Sequence, residues 1–248
     1  MEDIGTLPAE DGTPIAFRRI AGRGPGIVFL GGFKSDMTGS KAEALSDWAA
    51  AKGQAFCRFD YAGHGQSGGR FEDGTIGRWA ADAQMVLDQL TTGPQLLVGS
   101  SMGGWIAALL ARAAPERVHA MLGIAPAPDF TETLMWPQFT PEIRATILRD
   151  GVWHRPSDYG EPYAITRALI EDGRQQQVMT NPLPFRFPVR ILQGMRDTDV
   201  PWRHALRFAE AIDGDDVRVN LVKDGDHRLS RPQDIALLIA EVSRLIEE

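Results

Sequence analysis

The stretch Gln95-Leu96-Leu97-Val98-Gly99-Ser100-Ser101-Met102-Gly103-Gly104-Trp105-Ile106-Ala107-Ala108-Leu109-Leu110-Ala111 decides the fold. Leu96 to Val98 read as a short buried strand, and Trp105 onward reads as a helix. Between them, Gly99 to Gly103 fit the pattern G-x-S-x-G, with Ser101 at its centre. A strand that turns this sharply into a helix needs glycine on both sides, because backbone packs closely there. The turn holds the serine exposed and strained at a helix N-terminus. There the free N–H groups and the helix dipole favour an anion forming on a bound substrate.

A second match, Gly65-Gln66-Ser67-Gly68-Gly69, lies upstream. It also follows a strand, but no helix begins at Ser67. Arg70-Phe71-Glu72-Asp73-Gly74 reads as loop. The context therefore favours Ser101 as the nucleophile and leaves Ser67 as the weaker alternative.

Outward from Ser101 the chain alternates strands and helices. Ile4 to Leu7 and Ile15 to Ile20 flank Asp11-Gly12 as a hairpin. Ile27 to Leu30, Ala55 to Phe59, Val118 to Ile124, Val189 to Leu192 and Val217 to Val222 read as further strands. Helices are predicted from Ser40 to about Lys52, with Ser40 and Glu43 as a capping box, and from Thr75 through Leu90. Two more are predicted near Trp202 to Ile212 and Pro232 to Ile246. Such alternation argues a mainly parallel sheet with helices on both faces. Residues 126–187, rich in proline, break the rhythm, with candidate helices near Pro141 to Arg149 and Tyr163 to Asp172. They are expected to form a small helical cap inserted into a core made of residues 1–125 and 188–248.

Composition narrows the function. The 248 residues carry a net charge of −7 and no Lys/Arg-rich stripe, which argues against nucleic acid as a partner. One cysteine, Cys57, excludes an intrachain disulfide and a cysteine-based metal site, and it reads as buried filler in its strand. No apolar run is long enough to span a membrane. No signal or transit segment is recognisable at the start, so a cytoplasmic location is expected.

A serine hydroxyl needs a base, usually a histidine oriented by a carboxylate. In this topology the order is Ser, then Asp or Glu, then His. His227 follows the last strand, at the carboxyl ends of the strands where such sheets place their sites. Of the other histidines, His119 reads as structural, His204 as solvated on a helix, and His154 as a cap residue able to line the pocket. Asp197 and Asp199 share the loop after Val189 to Leu192; the G-x-x-D-x-x-V-P frame favours Asp197. Two N–H groups should bind an oxyanion: Met102, just after the nucleophile, and Phe33 in Gly31-Gly32-Phe33-Lys34. The loop from Asp60 to Ser67 reads as support for the site, with a direct role for His64 as the alternative. Large apolar residues of the cap, among them Met135, Trp136, Phe139, Trp153 and Tyr163, are expected to divide between packing and pocket. Trp153, Trp136 and His154 are the expected pocket residues.

Arg58-Phe59-Asp60-Tyr61-Ala62-Gly63, Gly99 to Trp105, Gly151-Val152-Trp153, Gly194-Met195-Arg196-Asp197 with Val200-Pro201-Trp202, and Asp226-His227-Arg228 together resemble the α/β-hydrolase superfamily. Within it the chain is similar to the mitochondrial acyl-protein thioesterase and acyl-glucuronide esterase group. The resemblance implies hydrolysis of esters and thioesters, including S-acylated protein cysteines, without cofactor or metal. It carries the nucleophile to Ser101, the acid to Asp197 and the base to His227. Two departures stand out: no presequence is seen, and Gly31-Gly32 stands where many hydrolases have His-Gly. Rival readings are a C–C bond hydrolase using the same three residues and a low-turnover ligand sensor. Acyl length, leaving group and oligomeric state are not legible.

Overall fold

Asp11 and Gly12 make the first turn: the Asp11 carboxylate accepts the Thr13 N–H at 3.0 Å, and Gly12 takes φ +84°. The turn joins strands β1 (Glu2–Pro8) and β2 (Pro14–Ile20) as an antiparallel pair. The computed structural model describes residues 2–156 and 162–247. After the hairpin come β3 (Arg23–Leu30), α1 (Ser40–Lys52), β4 (Gln54–Phe59), α2 (Ile76–Leu90), β5 (Gln95–Ser100), α3 (Met102–Ala113) and β6 (Val118–Ile124). A π-helical turn at Thr131–Met135 runs into the short α4 (Trp136–Gln138), then α5 (Pro141–Asp150), β7 (Val152–Arg155), β8 (Tyr163–Thr166) and α6 (Arg167–Gln175). The chain closes with β9 (Val189–Gly194), α7 (Trp202–Ala211), β10 (Val217–Val222) and α8 (Pro232–Glu247).

Eight strands form one sheet in the order β1-β2-β4-β3-β5-β6-β9-β10, antiparallel through β4 and parallel from there on. The side chains of its central strands alternate between two apolar layers, as the two-residue repeat of a strand requires. Ile27, Phe29, Leu96, Val98 and Leu192 pack toward α1 and α8, against Leu45, Ala49, Leu238 and Val242. Val28, Leu30, Leu97 and Ile191 face the opposite way, toward Trp79, Val86, Ile106 and Phe208 of α2, α3 and α7. Burial on both faces is why these strands read as continuous apolar runs.

Three local expectations need correction. Ser40 does not cap α1: Gly39 occupies the N-cap position, with no side-chain cap. Glu43 turns instead to the buried Arg58, 2.7 Å away, because an enclosed guanidinium demands a carboxylate more strongly than a helix end does. Tyr163 to Thr166 are a strand rather than the start of a helix. They pair with Val152 to Arg155 in a two-stranded antiparallel sheet. The helix begins only at Arg167, after Thr166 accepts the Leu169 N–H. Residues 126–187 thus carry a hairpin as well as helices.

Asp129 fastens this segment. Its carboxylate, buried and in a left-handed backbone (φ 56°), accepts the N–H groups of Val178 at 2.8 Å and Met179 at 2.9 Å. One side chain therefore bonds residues just after β6 to residues on the way to β9. Burial raises its pKa, opposed by those two bonds.

Candidate active site

Ser101 sits between β5 and α3 with φ 52° and ψ −115°, a conformation non-glycine residues rarely hold. The surrounding structure enforces it. The Ser101 N–H donates to Ile124 O at 2.9 Å, and its carbonyl accepts from Gly104 and Ala127. A Cβ at Gly103 would overlap the Leu30 carbonyl, and one at Gly99 the Gly103 carbonyl. Glycine at both places is thus a steric requirement of the turn.

His227 comes from the loop after β10 and Asp197 from the loop after β9. Those loops meet because Gly194 lets backbone approach: a Cβ there would strike the Gly225 carbonyl. His227 Nε2 lies 3.1 Å from Ser101 Oγ, and His227 Nδ1 lies 2.8 Å from Asp197 Oδ2. Asp197 is held from four directions. Its Oδ2 also accepts from Gln193 Nε2 at 3.0 Å, and its Oδ1 accepts from the N–H groups of Asp199 and Val200 at 2.9 and 2.8 Å. A carboxylate so held can lock the imidazole with Nδ1–H toward it and the Nε2 lone pair toward the serine. Asp197, Asp199 and His227 also offer ligand atoms within 4.8 Å of one another, but a metal would have to displace the hydrogen bonds just described.

The loop after β3 reaches the same point. A Cβ on Gly32 would lie 3.5 Å from Ser101 Cβ, so the loop passes directly over the serine. Among the described residues no hydrogen bond is made by the Phe33 N–H, and Met102 supplies the first N–H of α3. Both sequence-predicted donors therefore flank Ser101.

Ser67 does not. Its Oγ donates to Asp60 O at 2.6 Å and accepts the Ala16 N–H at 2.8 Å, tying β2 to the loop after β4. His204 is buried against Pro128 O rather than solvated, and His119 bonds Leu245 O at 2.8 Å.

Ser101 opens onto a cavity of about 530 Å³. Phe130, Leu134, Met135 and Val200 make its apolar wall; Arg155, Tyr163 and Asp199 make its polar side. The expected pocket residues are elsewhere. Trp136 lies under two guanidinium groups, those of Arg144 and Arg174, 5.4 and 4.9 Å from its ring. Trp153 packs edge-on against Phe139 at 5.3 Å, and His154 faces solvent on the outer side of β7. Met135 and Tyr163, which sequence grouped with them, do line the cavity. Gln193 has no separate signal in the sequence: its strand, Val189-Arg190-Ile191-Leu192-Gln193-Gly194, already holds the polar Arg190, and only the structure shows the bond from Gln193 to Asp197.

Comparison with known proteins bears on this geometry. Residues 27–167 match the model of the family described as serine aminopeptidase, S33. Palmitoyl-protein thioesterase ABHD10, mitochondrial, of Bos taurus is 38% identical over 247 residues, which cover 99% of this chain and 80% of that protein. The chain belongs to the α/β-hydrolase superfamily. Among solved α/β-hydrolase structures, a putative hydrolase from Agrobacterium vitis S4 superposes with a TM-score of 0.94 and 44% identity, covering 99% of both chains. Mouse alpha/beta hydrolase domain-containing protein 10 gives 0.91 and 38%, over 99% of this chain and 98% of that one. The protein is therefore a hydrolase. The expected cytoplasmic location is corrected by the same relatives, which are named as mitochondrial and point to that compartment. Such an address resides in a leader that plays no part in the fold, so the folded residues do not decide it. Among the described residues no helix is long and apolar enough to cross a membrane.

Proposed function

We propose that this α/β-hydrolase cleaves acyl thioesters and esters through a covalent acyl-enzyme on Ser101. The observation that carries the reading is the continuous chain from Ser101 Oγ to His227 Nε2 at 3.1 Å and from His227 Nδ1 to Asp197 at 2.8 Å. In the first half-reaction Ser101 Oγ attacks the acyl carbonyl carbon as His227 Nε2 takes the hydroxyl proton. Asp197 keeps the ring oriented and stabilises the imidazolium. The carbonyl oxygen becomes an oxyanion that accepts from the N–H groups of Phe33 and Met102. The carbon–sulfur or carbon–oxygen bond breaks, and the leaving thiol or alcohol departs with the proton from Nε2. Water then enters and gives a proton to Nε2 as its oxygen attacks the acyl carbon; the carbon–Oγ bond breaks, Nε2 returns the proton to Ser101 Oγ, and the acid leaves.

The relatives' name brings in the substrate class, an S-acylated protein cysteine. The cavity supports an acyl chain: its wall of Phe130, Leu134 and Met135 offers apolar burial beside the serine. Residues 126–187 act as a cap over a body made of residues 1–125 and 188–248.

A fluorophosphonate probe tests the reading. It should label Ser101, and Ser101→Ala should abolish both labelling and turnover of octanoyl thioesters and p-nitrophenyl esters. A labelled protein that turns over no ester or thioester of any length would favour a ligand sensor. Label recovered on a peptide containing Ser67 would overturn the assignment of the nucleophile.

A further inference from the structure

The loop Asp60-Tyr61-Ala62-Gly63-His64-Gly65-Gln66-Ser67 holds a buried histidine that the proposed mechanism does not use. His64 Nε2 lies 3.2 Å from the Lys34 N–H, and His64 Nδ1 lies 3.2 Å from Ala62 O. These partners fix the tautomer. A backbone N–H can only donate and a carbonyl can only accept, so Nδ1 carries the proton and Nε2 presents its lone pair. Lys34 takes φ 57°, a left-handed backbone that a side chain disfavours. It directly follows Phe33. The turn closes on itself through the Ser35 N–H to Gly32 O at 3.1 Å and the Gly32 N–H to Ser35 Oγ at 2.8 Å, and the His64 ring ties it to the neighbouring loop through the Lys34 N–H. The ring is itself wedged edge-on against Trp79 at 5.1 Å, Phe71 at 5.3 Å and Tyr61 at 5.7 Å. The same loop grips the residues further along: Asp60 accepts the Met37 N–H at 2.7 Å.

We infer that His64 is a positioning residue of the oxyanion site: as a neutral acceptor for the Lys34 N–H, it fixes the peptide that aims the Phe33 N–H at the reacting carbonyl. This rests on the reading of Phe33 as an oxyanion donor. His64 touches no substrate. It acts through Lys34, and only while Nε2 is unprotonated, since an imidazolium has no lone pair there. Burial keeps its pKa below the ordinary histidine value, helped by the Lys34 ammonium and opposed by the bond to Ala62. The other titratable groups around it are Tyr61 and Asp60 on its own loop and Asp82 on α2, which accepts the Ala62 N–H at 2.9 Å.

Two substitutions separate positioning from packing. His64→Phe keeps an aromatic ring but offers no acceptor. His64→Gln loses the ring but places an amide oxygen where Nε2 was. Deleting an oxyanion donor outright costs roughly 100- to 1,000-fold in kcat, so misaiming one should cost roughly 10- to 100-fold. On an octanoyl thioester, His64→Phe should lose that much kcat with KM little changed. It should weaken inhibition by a trifluoromethyl ketone, which forms the oxyanion, by a similar factor. His64→Gln should recover most of both. Equal damage in the two variants, or a thioester kcat for His64→Phe within about twofold of the parent, overturns the inference. If His64→Phe does not fold, His64→Gln alone decides, through its inhibitor affinity relative to the parent: near-parental affinity supports positioning, and loss of affinity refutes it. Ser101→Ala in the same assay keeps the two readings apart. If it retains turnover, the proposed function falls with this inference; if it is inactive while His64→Phe is not impaired, only the role of His64 falls.

Discussion

Asp197 and Asp199 stand two residues apart in one loop, yet their side chains differ entirely in duty. Asp197 gathers donors from His227, Gln193 and two backbone N–H groups, and its side chain is out of solvent. An amide in its place would turn an NH2 toward some of those donors and favour the wrong imidazole tautomer, so Asp197→Asn should lower kcat by roughly 10⁴-fold. Asp199 contributes its backbone N–H, which asparagine keeps, so Asp199→Asn should stay within roughly threefold of the parent. Steady-state kinetics on p-nitrophenyl butyrate checks both; a larger penalty for Asp199→Asn would reverse the assignment of the acid. Ser67 makes the complementary case. Its two hydrogen bonds join β2 to the loop after β4, and no base faces it. Ser67→Ala should leave kcat unchanged and cost about 1 kcal/mol, visible as a lowered thermal midpoint. A lost kcat with an unshifted midpoint would restore Ser67 as a candidate nucleophile. Residues whose chemistry demands a fixed order along the chain were legible in the sequence. Gln193 and His64 are placed to act on other residues rather than on substrate, and the sequence marks neither duty: Gln193 stands near the end of a strand that already holds Arg190, and His64 lies in a loop of glycines and polar residues.

The central strands are legible because each is a short, mainly apolar run, and β6 and the alternating edge strand β10 begin and end where the pattern does. The elements of residues 126–187 are not. β7 and β8 are four residues each and pair only with one another, so no long apolar run marks them. Size also misled: tryptophans look like pocket walls, but direction decides. Trp136 is covered by arginines and Trp153 by Phe139, while the slimmer Leu134 and Met135 of the π-helical turn face the cavity. The chain-length preference should follow that turn. Each methylene buried contributes about 0.8 kcal/mol, roughly fourfold in kcat/KM, until the cavity is full. Met135→Trp should move the optimum of a C2-to-C16 thioester series to shorter chains, while Trp153→Ala should leave the optimum where it is. An optimum that shifts with Trp153→Ala and ignores Met135→Trp would mean that the acyl chain lies along another wall.

Across the whole molecule, the antiparallel edge and the parallel body are bound through β4, which pairs with β2 on one side and β3 on the other. Arg58 on this strand adds ionic ties, to Glu2 of β1 at 2.8 Å and Glu43 of α1 at 2.7 Å, and donates to Met37 O at 3.0 Å. Its neighbour Cys57 faces the layer packed against α2 and α3, and burial pushes its thiol up to about 12. Thiolate is the reactive form, so at pH 8 almost none is present in the folded state, and the side chain is buried. As the chain's one thiol, Cys57 is a built-in probe of that parting. Iodoacetamide should leave the native protein unlabelled for hours at pH 8. In urea, the labelled fraction after a short pulse should follow the loss of far-UV circular dichroism with the same midpoint, because β4 cannot separate from its neighbours without dissolving both apolar layers. Labelling that precedes the loss of secondary structure, with activity already gone, would show instead that β1 and β2 peel from β4 as a unit and that the sheet does not unfold in one step.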